Sequence, residues 1–143
     1  MKLVVMTKST YFVEEDKILT ALFEEGLDNL HISKNEKSTL YLERLLSLIP
    51  NTYHRYITVH QHYHLKAEKS LAGIHLDTEN AVPPIGYKGQ IGRTCRNSML
   101  LKEMRRSSDY VFLANMYSSE RNKFDEEHTF SDLELNELKD QGL

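Results

Sequence analysis

The stretch 60–64, HQHYH, carries three histidines at alternate positions, and histidine is the commonest protein ligand of transition metals. In an extended strand, His60, His62 and His64 would share one face. The sequence instead predicts that a strand ends at His60 and that a weak helix follows over 62–71, where residues two apart diverge. Zinc motifs usually use i, i+4 or wider spacing, so a local three-histidine site is disfavoured.

Histidines also mark three consecutive predicted strands, at His31, His60 and His75. In parallel α/β folds the functional site lies at the carboxyl ends of the strands, so these side chains are expected to converge. Two interpretations stay open. The cluster either binds a ligand or metal ion, or His75 is a hydrogen-bonded core histidine and the other two fill the mouth of the fold.

The elements that position these residues alternate along the chain. Short apolar runs predict strands, helical spacing of apolar residues predicts helices, and Pro- and Gly-containing segments predict loops. The predicted strands are 2–6, 29–32, 56–60, 73–76, 90–95 and 109–114; the predicted helices are 14–26, 38–49, 62–71, 98–107 and one that opens at a capping box at 131–134; and the predicted loops are 81–89 and 115–130.

Alternation of strands with helices predicts a parallel sheet with right-handed crossovers. No Gly-x-Gly-x-x-Gly follows the first strand, so a dinucleotide-binding fold has no local support. The expected fold class is α/β, a TIM-barrel-like (β/α) repeat with about six of the eight parallel strands, which is an incomplete barrel. One such partial domain is expected to span residues 1–143.

The composition is that of a soluble domain, with 40% hydrophobic and 27% charged residues, a net charge of −3 and a pI of about 6.2. The charges are interspersed, which predicts neither a nucleic-acid nor a membrane partner. No apolar run approaches the roughly 18 residues of a membrane helix. A single cysteine, Cys95, fits a reducing compartment, and the chain is expected to be cytoplasmic.

Cys95 itself has two interpretations. Arg93 and Arg96 are near in sequence and could lower the pKa of its thiol, as in a nucleophile. Alternation along the strand places Cys95 opposite to Thr94, and buried cysteine is common in protein cores. Packing is the favoured interpretation.

Five segments, in order from one end of the chain to the other, together resemble the thiamine phosphate synthase / TenI family. The resemblance rests on their order and spacing, and the His-x-His after the third strand is taken to mark a subgroup. The segments are Lys2–Thr7 (KLVVMT), Ala21–Lys34 (ALFEEGLDNLHISK), Ala72–Asn80 (AGIHLDTEN), Ile91–Arg96 (IGRTCR) and Ser108–Ser119 (SDYVFLANMYSS).

The resemblance implies a role in thiamine biosynthesis. The family's synthases are transferases that join hydroxymethylpyrimidine diphosphate to a thiazole phosphate and release pyrophosphate, which implies Mg2+ and small phosphorylated pyrimidine and thiazole ligands. TenI-type members instead tautomerise a thiazole carboxylate phosphate, a reaction that needs a general acid and base. Whether this chain is an enzyme of either type is left open.

Carried over residue by residue, the resemblance implies a substrate site and a much-altered metal site. The family arginine falls on Ser33, beside Lys34, and the two metal carboxylates fall on Gln61 and Asn80, with Asp77 nearby. The TenI acid/base histidine falls on Arg96. No catalytic residue is assigned; the implied substrate-binding residues are His31, Ser33, Lys34, His60, Gln61, His75, Thr94 and Ser119, and the implied metal-binding residues are Asp77 and Asn80.

These departures predict impaired activity in this copy. Two alternatives are a non-catalytic truncated relative, and a ligand- or metal-binding module that uses the histidines at the barrel mouth. With about six strands, the first and sixth would be open sheet edges, and exposed apolar edges favour pairing with another chain. The partial barrel is therefore expected either to form a homo-oligomer through those edges or to be marginally stable.

Overall fold

The computed structural model of the protein describes residues 3–78 and 80–114. Within those ranges six strands alternate with four α-helices, and two short 3-10 helices cover Asn51–Tyr56 and Ser98–Leu100. The strands are β1 (Val5–Met6), β2 (Leu30–Ile32), β3 (Ile57–Val59), β4 (Gly73–Leu76), β5 (Gln90–Cys95) and β6 (Tyr110–Leu113). The helices are α1 (Glu15–Glu24), α2 (Thr39–Leu48), α3 (Leu65–Glu68) and α4 (Leu101–Arg106).

The strands follow the order β1-β2-β3-β4-β5-β6 in one sheet. Pairing is parallel between β1 and β2, β2 and β3, β3 and β4, and β5 and β6. Sequential parallel order with helical crossovers is the arrangement of a (β/α) barrel repeat. The predicted fold class, TIM-barrel-like with six of eight parallel strands, is confirmed.

The described residues form two compact units, one of 3–75 with 84–90 and one of 76–78, 80–83 and 91–114. In the first unit every residue of β2 and β3 is buried, because strands of a parallel sheet are covered on both faces. The helices contribute one apolar stripe each to this core. These core residues are Leu19 and Phe23 of α1 and Leu42, Leu45 and Leu46 of α2.

In the second unit a smaller core lies between α4 and the last two strands. Cys95, Leu101 and Met104 are buried there, and Val111 and Leu113 pack against them. The Cys95 Sγ donates a hydrogen bond to the carbonyl oxygen of Asn97. The interpretation of Cys95 as a packed core residue is confirmed.

Local sequence signals account for two of the helix ends. The Ser38 Oγ accepts a hydrogen bond from the Leu40 N–H and caps α2. Gly26 follows α1 with a φ of 102°, a left-handed conformation that favours glycine and is common at a helix C-terminus.

None of the helices in residues 3–78 and 80–114 is long and apolar enough to cross a membrane.

The predicted helix over 62–71 is wrong in its extent. Only Leu65–Glu68 is helical, because His62 and Ser70 have φ angles of 53° and 54°, which an α-helix cannot contain. The 3-10 helix after Pro50 was not predicted. The predicted loop at 115–130 and the helix that opens at 131 lie outside the described residues.

Candidate functional site

Three buried histidines lie on one face of the sheet. His31 is in β2, His60 directly follows β3, and His75 is in β4; they are 1%, 3% and 0% exposed. Val59 pairs with Ile74, so the next pair along these parallel strands places His60 beside His75. His31 pairs with Thr58, which shares a face with His60 two residues later. The strand register therefore brings the three imidazoles together.

The ring geometry confirms that the histidines converge. The Nδ1 of His31 lies 2.8 Å from the Nε2 of His60, a hydrogen-bonding distance. The rings of His60 and His75 are stacked, with centroids 4.3 Å apart, and the His31 ring meets both of them edge-on. One potential ligand nitrogen from each residue can be chosen so that all three lie within 4.8 Å of one another.

Such a cluster offers both donors and acceptors in a dry environment. A neutral imidazole carries one N–H donor and one acceptor nitrogen, and hydrogen bonds are stronger at the low dielectric of a protein interior. The cluster can therefore hydrogen-bond a heteroaromatic ring or bind a metal ion. Which nitrogen of each ring carries the proton depends on the tautomer.

Lys34 is predicted to bind substrate through its charge, but in the structure its ammonium group is bonded inside the fold. Its Nζ donates to the carbonyl oxygens of Lys8 and Thr10, at 2.8 and 3.1 Å, and to Glu15 Oε2 at 2.5 Å. An ammonium group has three donors, so this set uses all of them. In this arrangement the charge of Lys34 stabilises the fold, and a contact with substrate stays a prediction.

Ser33, the residue before Lys34, is half-buried. Its backbone N–H donates to the Oγ1 of Thr7, and the same hydroxyl donates to its carbonyl oxygen. These bonds hold the ends of β1 and β2 together. Gln61, which follows His60, is exposed.

The second unit brings together three of the residues singled out from the sequence. The Thr94 Oγ1 donates to Asp77 Oδ1 at 3.4 Å, and an Nη of Arg96 donates to the carbonyl oxygen of Asp77 at 2.5 Å. Asn80 is exposed and lines a small pocket with Arg93. Ser119 lies outside the described residues.

Comparison with known proteins identifies the family. No family model matches the chain, and no curated protein does. Among solved structures the chain is similar to thiamine phosphate pyrophosphorylase from Bacteroides thetaiotaomicron, with 44% sequence identity and a TM-score of 0.84. The match covers 99% of this chain and 67% of that chain.

The chain belongs to the thiamine phosphate synthase family. Membership confirms the resemblance that five segments of the sequence indicated, from KLVVMT at the start to SDYVFLANMYSS at 108–119. The family is one of thiamine biosynthesis.

The Mg2+ implied by this family does not match the described donors well. Mg2+ takes oxygen ligands, and the resemblance implies that the amides Gln61 and Asn80 stand at the two family carboxylate positions. Of the described residues, Asp77 is the one carboxylate that directly follows a strand, and its Oδ1 accepts a hydrogen bond from Thr94. The described residues therefore do not provide a magnesium site of the family kind, and Mg2+ stays a prediction.

Three further polar residues, Glu15, Tyr11 and His54, have buried or perturbed environments that the sequence did not predict. Glu15, in the first turn of α1, is 3% exposed. Burial and the nearby carboxylates of Glu15 and Glu36 raise the pKa of Tyr11 to about 12. The buried ring of His54 bonds the carbonyl oxygens of Leu46 and Ile49. No local pattern identifies such residues, because their partners lie elsewhere in the chain.

Proposed function

We propose that this chain binds the phosphorylated pyrimidine and thiazole ligands of thiamine phosphate synthases at the carboxyl ends of its strands, and that it couples them slowly. The observation that supports this is the 44% identity to a thiamine phosphate pyrophosphorylase over 99% of the chain. The chain spans 67% of the length of that protein.

The histidine cluster is the part of the proposed site that recognises the heteroaromatic ring. A pyrimidine ring presents acceptor nitrogens, to which imidazole N–H groups can donate. His31, His60 and His75 are 3% exposed or less, so a ring bound against them would be shielded from water. Buried hydrogen bonds of this kind discriminate strongly against ligands that lack the matching atoms.

We expect slow coupling because the residues that would bind the phosphates and the metal ion differ from those of the family. The position of the family arginine is Ser33, and the neighbouring Lys34 already makes three bonds inside the fold. Gln61 and Asn80 replace the two metal carboxylates. Losing one group that stabilises charge in a transition state commonly costs about 3–4 kcal/mol of barrier, though several such losses need not add.

Synthase-type binding is favoured over tautomerase chemistry by one residue. The position of the TenI acid/base histidine is Arg96, whose guanidinium remains protonated and cannot serve as a base. An Nη of Arg96 donates to the carbonyl oxygen of Asp77, so the side chain has a structural contact in this protein.

Two measurements test the proposal. Calorimetric titration of the full chain with hydroxymethylpyrimidine diphosphate and with thiazole phosphate should show binding. The rate of pyrophosphate release should be lower than that of the Bacteroides protein. The triple variant Ser33→Arg/Gln61→Asp/Asn80→Asp should release pyrophosphate faster. The matched control Ser33→Lys/Gln61→Asn/Asn80→Gln should not.

Different results overturn the two parts of the proposal. A folded wild type that binds neither ligand contradicts the binding role. Release of pyrophosphate at the rate of the Bacteroides protein, or full growth of a strain that lacks thiamine phosphate synthase, contradicts slow coupling.

We also propose that the chain associates with itself through β1. Among the described strands, β1 is the first in the sheet order and pairs with β2. Its residues and neighbours are apolar and accessible: Leu3, Val4 and Met6 are 64%, 37% and 50% exposed. An accessible apolar strand edge is a template for pairing with a second strand.

A further inference from the structure

We propose that His31, His60 and His75 form a binding site for one divalent transition metal ion of the Zn2+ class. Each residue supplies one ring nitrogen, and these nitrogens lie within 4.8 Å of one another. All three side chains are buried. The proposal uses the same three imidazoles as the ring recognition proposed above, and its tests measure metal binding alone, without any reaction of thiamine precursors.

The spacing of the nitrogens is close to that of a bound ion. Zinc–nitrogen bonds are about 2.0–2.1 Å long, so two nitrogens on a tetrahedral ion are about 3.3 Å apart. The hydrogen-bonded pair of His31 and His60 is 2.8 Å apart, and the full set spans no more than 4.8 Å. These nitrogen–nitrogen distances are comparable with the distance that the ion requires.

Binding needs a rotation of the stacked rings of His60 and His75. The rings of His60 and His75 are stacked with 17° between their planes, so the in-plane lone pairs of the two rings lie in nearly parallel planes. An ion can lie in both ring planes only if one ring turns about its Cβ–Cγ bond. The His31 ring is already nearly perpendicular to the other two, at 78° and 73°.

The backbone that carries the three residues is held in place. The His60 N–H donates to the carbonyl oxygen of Ile32 at 3.0 Å, which continues the ladder between β2 and β3. Leu30, Val59 and Ile74, which lie beside these histidines in the chain, are completely buried. Sites on packed strands hold their ligands more accurately than sites on loops, so little ordering is left for the ion to impose.

The donor set selects the class of metal. Three imidazole nitrogens suit Zn2+, Co2+, Ni2+ or Cu2+, whereas Mg2+ and Ca2+ prefer oxygen ligands. In residues 3–78 and 80–114, this is the one group of three or more His, Cys, Asp or Glu side chains with that proximity. Three protein ligands leave a fourth tetrahedral position for water or for an atom of a bound molecule.

The experiment compares metal binding by the folded full chain and its variants. Competition of Zn2+ against a chromogenic chelator should show one ion per chain, and excess Mg2+ should not displace it. Co2+ should give the absorption spectrum of a tetrahedral site. His31→Gln and His75→Gln should each weaken Zn2+ binding by more than about 100-fold, since removing a ligand costs more than removing a group that orients one.

The double variant His62→Ala/His64→Ala is the matched control. These two histidines belong to HQHYH but not to the cluster, and their rings are 6.4 Å apart. The control should bind Zn2+ as the wild type does. Loss of binding in this variant would assign the ion to a local HQHYH site and overturn the proposal.

Two further readouts keep the test decisive if a cluster variant does not fold. Zn2+ should raise the melting temperature of the wild type whereas Mg2+ should not, because a ligand that binds the folded state stabilises it. X-ray absorption of the zinc-loaded wild type should count three imidazole ligands. A folded wild type that binds no Zn2+, or that holds it through fewer imidazoles, overturns the proposal.

Discussion

The Nζ of Lys34 lies 2.5 Å from the Oε2 of Glu15, and the two side chains are only 2% and 4% exposed. This buried ion pair joins the segment after β2 to the first turn of α1. Lys34 also bonds the carbonyl oxygens of Lys8 and Thr10, so one ammonium group fixes the path of the chain between β1 and α1. The pair therefore organises the loop at the carboxyl end of the first strand.

Replacing Lys34 should destabilise the protein strongly. Lys34→Met leaves the Glu15 carboxylate buried without its cation, which should lower the free energy of unfolding by about 3–5 kcal/mol. Urea denaturation measures this change. Lys17→Met is the matched control, because Lys17 pairs with Glu14 at the surface, with 71% and 62% exposure, and should change stability by less than about 1 kcal/mol.

The double variant Lys34→Met/Glu15→Leu sharpens the same test. Two apolar side chains of similar volume should recover much of the lost stability, since replacing a buried pair is cheaper than breaking it. A double variant as unstable as Lys34→Met alone would show that the pair is not the cause.

Tyr11 should make stability fall in strongly alkaline solution. Its pKa is raised from 10.0 to about 12, first by burial and then by the charges of Glu15 and Glu36. The folded state therefore keeps its proton after the unfolded state has lost it, so this contribution is complete below pH 10.0 and is lost as the pH rises toward about 12. Urea denaturation across that range should show a shallower decline for Tyr11→Phe. Equal declines would contradict the assignment.

Gly73 should not tolerate a side chain. A Cβ at this position would lie 2.6 Å from the backbone oxygen of Gln90, and a backbone atom cannot easily move away. Gly73→Ala should cost about 1–3 kcal/mol in thermal or urea unfolding, as overpacking does. At Gly92 the added Cβ would meet the end of the Tyr110 side chain, which can turn aside, so Gly92→Ala should cost less.

The exposed edge at β1 should govern self-association. Met6→Lys places a charge on the strand, and charged residues on an edge oppose pairing with another strand. In sedimentation velocity the wild type should sediment faster as concentration rises, and Met6→Lys should not. Val13→Lys is the control, because Val13 is 89% exposed but lies outside the strand. A wild type that stays monomeric on concentration would rule out this edge.

Much of the fold is encoded locally and could be predicted. The bounds of β4 and β5 agree with the strands predicted at 73–76 and 90–95, and the cap at Ser38 begins α2. The helix predicted over 62–71 did not form in full, because positive φ angles at His62 and Ser70 interrupt it. Positive φ angles are uncommon for residues other than glycine, so the sequence did not predict these breaks.

The candidate site also has residues that the sequence could predict and residues that it could not. His31, His60 and His75 could be grouped from the sequence, because the carboxyl ends of consecutive parallel strands are neighbours. The burial of Lys34 could not be predicted, since its partner Glu15 is 19 residues away and also suits the exposed first turn of a helix. The position of Glu15 in the first turn of a helix already explained its charge locally, so its long-range ion pair with Lys34 was not expected.

The sequence by itself determined the succession of strands and helices, the parallel fold class and the family, because these depend on periodicity and on the order of short segments. Only the tertiary structure decided that His31 and His60 come within 2.8 Å and that Lys34 turns inward. Periodicity assigns a side chain to a face of its own element. The distance between side chains on different elements depends on how those elements pack.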